Sequence, residues 1–297
     1  HPGKNVAFYA YWGAVEAPGD IDAHPNVIVF FTPIGMAFNY PLQDPRSPTN
    51  QIHDDWYMGW RRIAEQMGIR HYYNFSSVLW IPWRVLTDEL RYQFEHHALY
   101  MNAELWSDAE GSQLSYWILA RILWDVDADA EALFEDYVSG LYGPAAGPMR
   151  RYYARLTNEF GEGEEELLWP RNIGLQRPFL RMLTPEVIAA SRADLREARR
   201  LALGDDTLTA RIRISQAWLD YMSAWREHAA RSLGEEAATL QEKARSAQDL
   251  LRAIGRIERY APGAMPEMER ILVPDATQLA WLAQGAEALR PAFPEMS

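Results

Sequence analysis

The first 110 residues alternate between short apolar runs and amphipathic stretches, and this alternation limits the possible folds more than any other feature. Runs rich in β-branched and aromatic residues predict four strands, at 5–12, 26–35, 68–75 and 98–105. Apolar residues spaced three and four apart predict three helices, at 54–67, 86–97 and 112–124. Nearly continuous apolar strands that alternate with helices are typical of a parallel sheet covered by helices. The sequence therefore predicts an α/β fold.

After residue 125 the strand pattern stops and the chain is expected to be helical. Amphipathic stretches predict five helices, at 127–142, 144–160, 184–203, 206–233 and 235–261. Thr184 followed by Pro185 is a strong helix-start signal, and Thr87 is the expected N-cap of the second helix in the α/β region. The apolar stripes of the later helices suit an antiparallel bundle.

An acidic connector at 161–172 marks the expected boundary between an α/β domain, residues 1–165, and a helical domain, residues 166–297. Only four strand-helix units precede it, whereas a (β/α)8 barrel needs eight. The α/β region is therefore either an open sheet or the C-terminal half of a barrel, and the start at His1 favours the second. In that case the missing N-terminal half or a homo-oligomer partner would complete the barrel, and the chain alone should be inactive.

Composition excludes several classes of function. The net charge of −12 argues against nucleic acid as a partner, because an acidic surface repels phosphate. The chain has no cysteine, so thiol nucleophiles and cysteine-zinc sites are excluded. It has no uninterrupted apolar run long enough for a membrane span. The stretch "DVDADA" at 125–130 lacks the glycine of a calcium loop, and its aspartates favour a helix N-terminus instead. No other stretch has the spacing of a metal or phosphate site, and we therefore expect neither a metal nor a cofactor.

The candidate site lies at the predicted strand ends, because parallel α/β folds bind ligands at the carboxyl ends of their strands. Eight of the 12 tryptophans precede residue 125, and flat aromatic faces stack well on sugar rings. The candidate sugar-binding residues are the aromatic, amide and carboxylate groups at these ends: Tyr11, Trp12, Tyr73, Asn74, Asn102, Trp106 and Asp108.

Glu104, at the end of the fourth strand, is the candidate catalytic acid, since glycosidic cleavage usually needs carboxyl groups beside the bond. A solvated or capping carboxylate is the alternative for Glu104, and packing between sheet and helix is the alternative for Trp106.

Several motifs resemble a known family. Residues 116–156, "YWILARILWDVDADAEALFEDYVSGLYGPAAGPMRRYYARL", are similar to a motif of bacterial glycoside-hydrolase-like proteins, and "NVAFYAYW", "NVIVFF" and "HYYNF" occur in the same order. The group is a domain-of-unknown-function family that includes endo-β-N-acetylglucosaminidases of glycoside hydrolase family 163. Family 20 hexosaminidases and α-glucuronidases are more distantly similar. The resemblance covers roughly residues 1–260.

This resemblance implies a TIM-barrel glycosidase domain followed by helices, an extracellular or periplasmic location, and glycan substrates that contain N-acetylhexosamine. "AELWSD" also resembles the last-strand W-x-E motif of family 20, which implies that Trp106 walls the sugar pocket and that Asp108 accepts hydrogen bonds from sugar hydroxyls. Asp108 replaces the family's glutamate, so its reach is one methylene shorter. The general acid of such enzymes lies on a middle strand, and no position in this chain matches it.

Two other functions stay open. A non-catalytic glycan-binding or scaffold domain of the same fold would bind sugar without turnover, since a fold does not fix a function. A helical interaction module would instead bind a partner or dimerise through the apolar stripes of the C-terminal helices.

Overall fold

The structure is a computed structural model that describes residues 3–73, 79, 81–105, 112–161, 165–168 and 177–261. Within these residues four strands form one sheet, in which every neighbouring pair is parallel and the strand order follows the chain. The strands are β1 (Val6–Ala10), β2 (Val27–Phe31), β3 (Gln66–Tyr73) and β4 (Ala98–Leu105). The predicted α/β class with a parallel sheet is confirmed.

Helices follow the second, third and fourth strands and make up the described chain beyond residue 112, apart from short connections. They are α1 (Pro48–Ile63), α2 (Trp83–Glu95), α3 (Ser112–Trp124), α4 (Ala130–Tyr142), α5 (Ala146–Gly161), α6 (Arg177–Met182), α7 (Pro185–Leu201), α8 (Asp206–Ser232) and α9 (Leu240–Tyr260). Short 3-10 turns lie at Trp12–Ala14 and Gly143–Ala145. The spacing of apolar residues located eight of these helices, and α6 was not predicted.

Four predicted helix starts, those of α1, α2, α4 and α9, differ from the observed ones by three residues or more. α1 begins at Pro48, six residues before the predicted start, because the Ser47 hydroxyl caps it by accepting a hydrogen bond from the Asn50 amide. α2 begins at Trp83, so Thr87 lies one turn inside the helix rather than at its N-cap. The Thr87 hydroxyl donates to the Trp83 carbonyl at 2.7 Å, which satisfies it within the helix.

Capping side chains also define three later helix starts. α7 begins as predicted, whereas α4 begins three residues and α9 five residues after the predicted position. The Thr184 hydroxyl caps α7 by accepting from the Val187 amide at 3.3 Å, with Pro185 at the first position, as predicted. Asp129, within "DVDADA", caps α4 through its carboxylate, so the expected helix N-terminus is confirmed there. Thr239 and Glu242 form a reciprocal capping box at the start of α9.

The two faces of the sheet have different surroundings. On one face, Phe31 packs against Tyr57 of α1 and His71 contacts Glu89 of α2, and these side chains are buried. α3 packs beside α2 and extends the same layer. The other face carries Phe30 and its neighbours, which are partly exposed. We call these the covered face and the open face.

The later helices pack into a layer that continues the hydrophobic core of the covered face. α8 and α9 lie antiparallel, because the His228 ring, near the end of α8, is 3.0 Å from the Ser246 hydroxyl, near the start of α9. α5 is joined to α7 by ion pairs from Arg151 and Arg155 to the mostly buried Asp194. The division into domains at residue 165 stays a prediction.

Candidate functional site

The open face of the sheet brings aromatic and polar side chains from all four strands together. The parallel register aligns Tyr9 with Phe30, Phe30 with Gly68, and Gly68 with Tyr100. It also aligns Arg70 with Asn102, so a cationic and an amide side chain follow the aromatic row. The described aromatic, cationic and amide members of the central part of the open face, together with Gly68, are Tyr9, Tyr11, Phe30, Gly68, Arg70, Tyr72, Tyr100 and Asn102.

The aromatic row is centred on Phe30. Its ring centroid lies 5.8 Å from that of Tyr9 and 6.3 Å from that of Tyr100. Its edge lies directly over Gly68, where an added Cβ would be only 2.7 Å from a ring carbon. Glycine at position 68 therefore leaves space for the edge of the Phe30 ring over the neighbouring strand, and the three rings form a broad apolar surface.

Arg70 is the cationic centre of the open face. Its guanidinium carbon lies 5.2 Å from the Tyr9 ring centroid and 5.7 Å from that of Tyr72. Its Nη1 donates a hydrogen bond of 2.6 Å to Oδ1 of Asn102. Cation-π contacts and this hydrogen bond hold the planar group in a fixed orientation among the tyrosines.

Tyr72 connects this centre to the carboxyl end of β1. The rings of Tyr72 and Tyr11 are 6.4 Å apart, and Tyr11 is 5.7 Å from Trp12. Burial and a hydrogen bond with Tyr11 raise the pKa of the Tyr72 phenol, so it stays protonated and can act as a hydrogen-bond donor. Trp12 is 66% exposed and has a φ of 51°, a left-handed conformation that is uncommon outside glycine.

The structure therefore places three of the predicted sugar-binding residues, Tyr11, Trp12 and Asn102, at or beside this face. The backbone of Tyr73 ends β3 and that of Glu104 pairs in register with Tyr72, but both side chains lie outside the described part. Asn74, Trp106 and Asp108 also lie outside the described residues, so their roles and the catalytic role of Glu104 stay predictions.

A buried polar pair lies beneath the site, on the covered face, and the sequence did not reveal it. His71 and Glu89 are both 1% exposed, and Nε2 of His71 is 2.5 Å from Oε1 of Glu89. The His71 Nδ1 accepts from the Tyr72 amide at 3.2 Å, so Nε2 carries the proton that is donated to Glu89. Gln93 also donates to Glu89, at 2.8 Å. The only feature of the sequence that could have indicated this pair is that Glu89 and Gln93 lie on the buried, largely apolar side of α2.

His53 of α1 is a second buried imidazole on the covered side. Burial lowers its pKa to about 4, although the Glu89 charge opposes this effect. His53 is therefore neutral at neutral pH. Its Nδ1 has no hydrogen-bond partner among the residues that the structure describes.

Metal and membrane features were also sought in the described ranges. Those ranges contain no cluster of three or more histidine, aspartate or glutamate side chains that could hold a metal ion. None of their helices combines the length and the hydrophobicity needed to cross a lipid bilayer.

These features define an α/β protein whose parallel sheet has one helix-covered face and one aromatic, partly exposed face. Residues 1–155 match a family model described as a domain of unknown function, DUF4838, and the chain belongs to that family. No curated protein and no solved structure is significantly similar to the chain. The family description names no activity.

Proposed function

We propose that this chain is part of a glycoside hydrolase and that the carboxyl end of the open face, where Tyr11, Tyr72 and Asn102 lie, binds the sugar. The observation that carries the proposal is the Arg70 guanidinium held between the Tyr72 ring and Asn102, with Tyr11 beside Tyr72 at the end of β1. Aromatic rings pack against the C–H faces of sugars, and a few fixed polar groups orient the hydroxyls. An apolar surface with hydrogen-bonding groups at its end suits a glycan better than a purely apolar ligand.

The strand order supports a barrel as the complete fold. In a sheet whose order follows the chain, right-handed crossovers place the connecting helices on a single face. α1 and α2 both lie on the covered face, in agreement with this rule. A sheet with helices on only one face leaves its other face exposed unless the sheet closes into a barrel. We therefore propose that these four strands are the C-terminal half of a (β/α)8 barrel. Closure would turn the row of Tyr9, Phe30 and Tyr100 into part of the barrel interior and leave the carboxyl ends of the strands at the barrel mouth.

The edges of the sheet support the same proposal. Val6 on β1 is 66% exposed and Leu99 on β4 is 62% exposed. Beside β4, a cavity of about 400 Å³ lies between the start of the strand and the ends of α2 and α3, and its wall includes Trp124, which is 92% exposed. Open strand edges flanked by apolar side chains are suited to further strand-helix units.

The remaining strands could belong to a longer polypeptide or to a second copy of this chain. Light scattering coupled to size-exclusion chromatography distinguishes these sources. A dimer would favour closure by two copies. A monomer that becomes more stable when the preceding half is added would favour a longer polypeptide.

Within such a barrel the predicted roles are specific. Glu104, whose backbone pairs with that of Tyr72 near the end of β4, would act as a catalytic carboxylate. Trp106 would wall the terminal-sugar pocket and Asp108 would accept hydrogen bonds from sugar hydroxyls. The proposed substrates are glycans that contain N-acetylhexosamine, as the family resemblance implies.

Calorimetric titration with N-acetylglucosamine oligosaccharides tests the binding surface. We expect Tyr11→Ala, at the end of β1, to weaken binding about tenfold, because an aromatic contact contributes about 1–1.5 kcal/mol. Tyr260→Ala is the matched control, since it makes the same change at an exposed tyrosine of α9 and should leave the affinity unchanged. An absence of sugar binding, or equal effects of the two changes, would contradict the proposal.

Turnover of an aryl N-acetylglucosaminide separates the enzyme from its alternative. The assay needs a polypeptide that carries this chain together with a complete barrel. Loss of turnover in Glu104→Gln with sugar binding retained would support the catalytic role. Sugar binding without any turnover by the unmodified protein would favour a non-catalytic glycan-binding domain of the same fold.

A further inference from the structure

A short segment of the acidic connector binds the loop that follows β2. The Phe38 amide donates to the Leu167 carbonyl at 3.0 Å, and the Leu167 amide donates to Oδ1 of Asn39 at 2.9 Å. The Asn39 amide group also donates to the Glu165 carbonyl at 2.9 Å. An antiparallel bridge joins residues 37 and 168. We call residues 165–168 the strap and residues 36–47 the rim loop.

Glu166 fixes the strap to the start of α1. Its carboxylate accepts from the Ser47 hydroxyl at 2.5 Å, from the Thr49 hydroxyl at 2.7 Å and from the Thr49 amide at 3.0 Å. Burial opposes ionisation of Glu166, but these hydrogen bonds outweigh it and hold its pKa below the ordinary value. The carboxylate also lies at the positive end of the α1 dipole, which favours its charge.

The rim loop is held from its other side by Asn50 of α1. Oδ1 of Asn50 accepts from the Ala37 amide at 2.7 Å, and Nδ2 donates to the carbonyls of Ala37 and Tyr40, each at 2.9 Å. Asn50 and Leu167 are almost fully buried, so water does not compete for these bonds. The rim loop is therefore clamped between α1 and the strap.

A chain of contacts leads from the strap to the open face. Phe38, whose amide binds the strap, has its ring 6.2 Å from that of His71. The His71 Nδ1 accepts from the Tyr72 amide, and Tyr72 contacts Arg70 on the open face. The strap itself is tied to the helical part, because Glu165 forms an ion pair with Arg181 of α6.

We propose that the strap positions the rim loop and, through Phe38 and His71, the end of β3 that carries Tyr72. Glu166 and Asn39 are then positioning residues, and the helical part of the chain sets the geometry of the open face. This inference rests on the proposed function only for the identity of the ligand, since the contacts themselves do not depend on it.

Amide hydrogen exchange and histidine NMR test the proposal without any ligand. We expect Glu166→Ala and Asn39→Ala to raise exchange in residues 36–50 at least tenfold and to shift the His71 ring resonances. Glu135→Ala, which removes an ion pair to Arg150 on the surface of the helical part, is the control and should change neither signal. Glu166→Gln keeps an oxygen acceptor for the Thr49 amide and should restore most of the protection.

Unchanged exchange in residues 36–50 would overturn the proposal, and so would faster exchange with unshifted His71 resonances. If Glu166→Ala does not fold, Asn39→Ala and Glu166→Gln provide the same comparison. Sugar titration of the same variants is a separate measurement. Where the unmodified protein binds sugar, we expect Glu166→Ala to weaken binding at least threefold. If the unmodified protein binds no sugar, the proposed function fails, whereas the exchange and NMR results still decide the role of the strap.

Discussion

Phe30 and Phe31 are adjacent residues of the same type, yet their side chains lie on opposite faces of one sheet. Phe31 is fully buried against Tyr57 of α1, whereas Phe30 lies over Gly68 in a partly exposed row of aromatic rings. The covered face buries its side chains under helices, so its residues mainly determine stability. The open face leaves apolar rings accessible beside Arg70, and such a surface is suited to contact with further strands or with a ligand.

The two phenylalanines give the sharpest test of this difference. Phe31→Ala leaves a cavity in the core of the covered face, and we expect it to lower the free energy of unfolding by about 3–5 kcal/mol. Phe30→Ala removes a ring that is only partly buried, so we expect a loss of about 1 kcal/mol. Urea denaturation measures both values. Equal losses would show that the open face is as much a core as the covered face.

The buried polar pair gives a second comparison on the covered side. Glu89→Ala leaves the Nε2–H of His71 and the amide of Gln93 without their acceptor, and we expect a cost of about 2–4 kcal/mol. Glu95→Ala, an exposed change on the same helix, should cost less than about 0.5 kcal/mol. Chemical denaturation of both variants provides the measurement. A Glu89 variant as stable as the Glu95 variant would show that the pair contributes nothing to the covered face.

The pH dependence of stability sharpens the contrast further, because His53 is buried on the covered side. Its pKa falls from 6.5 to about 4 on folding, so the unfolded chain binds its proton more readily. Above pH 6.5 the imidazole is neutral in both the folded and the unfolded chain, so it does not make the free energy of unfolding depend on pH. That free energy decreases as the pH falls from 6.5 towards 4, because the unfolded chain takes up the proton first. The loss amounts to about 3 kcal/mol at 1.36 kcal/mol per pKa unit. In His53→Gln this part of the pH dependence should vanish, and an unchanged profile would refute the assignment.

The smallest expected effect concerns Gly68 on the open face. Gly68→Ala places a Cβ against the Phe30 ring, and we expect a loss of about 1–2 kcal/mol as the ring shifts. In the Phe30→Ala background the same change should cost almost nothing, because the obstructing ring is gone. A double-mutant cycle measures this coupling. Additive effects would mean that the ring does not lie on the strand.

Local patterns predicted the elements well, because the spacing of apolar residues depends on positions only a few residues apart. β4 and α3 have the predicted bounds, and Thr184 and Asp129 cap their helices. The start of α1 was missed because Ser47 and Pro48 precede its apolar stripe. Tyr11, Trp12 and Asn102 were placed at the site by the rule that strand ends converge, which follows from topology alone.

The contacts between distant segments could not be predicted from one sequence. His71 and Glu89 are 18 positions apart, and Glu166 is 117 positions from Thr49, so no local spacing links them. The open face was also missed as a unit. Tyr9, Arg70 and Tyr100 lie inside their strands rather than at the ends, and the predicted site included only strand-end residues.

The sequence by itself determined the α/β class, the four parallel strands and most of the helices, since hydrophobic periodicity and capping are properties of short stretches. Only the tertiary structure decided which face of the sheet the helices cover, which imidazole meets a carboxylate, and where the connector binds. Those outcomes depend on strand register and on the direction of the crossovers, which bring residues together across more than a hundred positions of the chain.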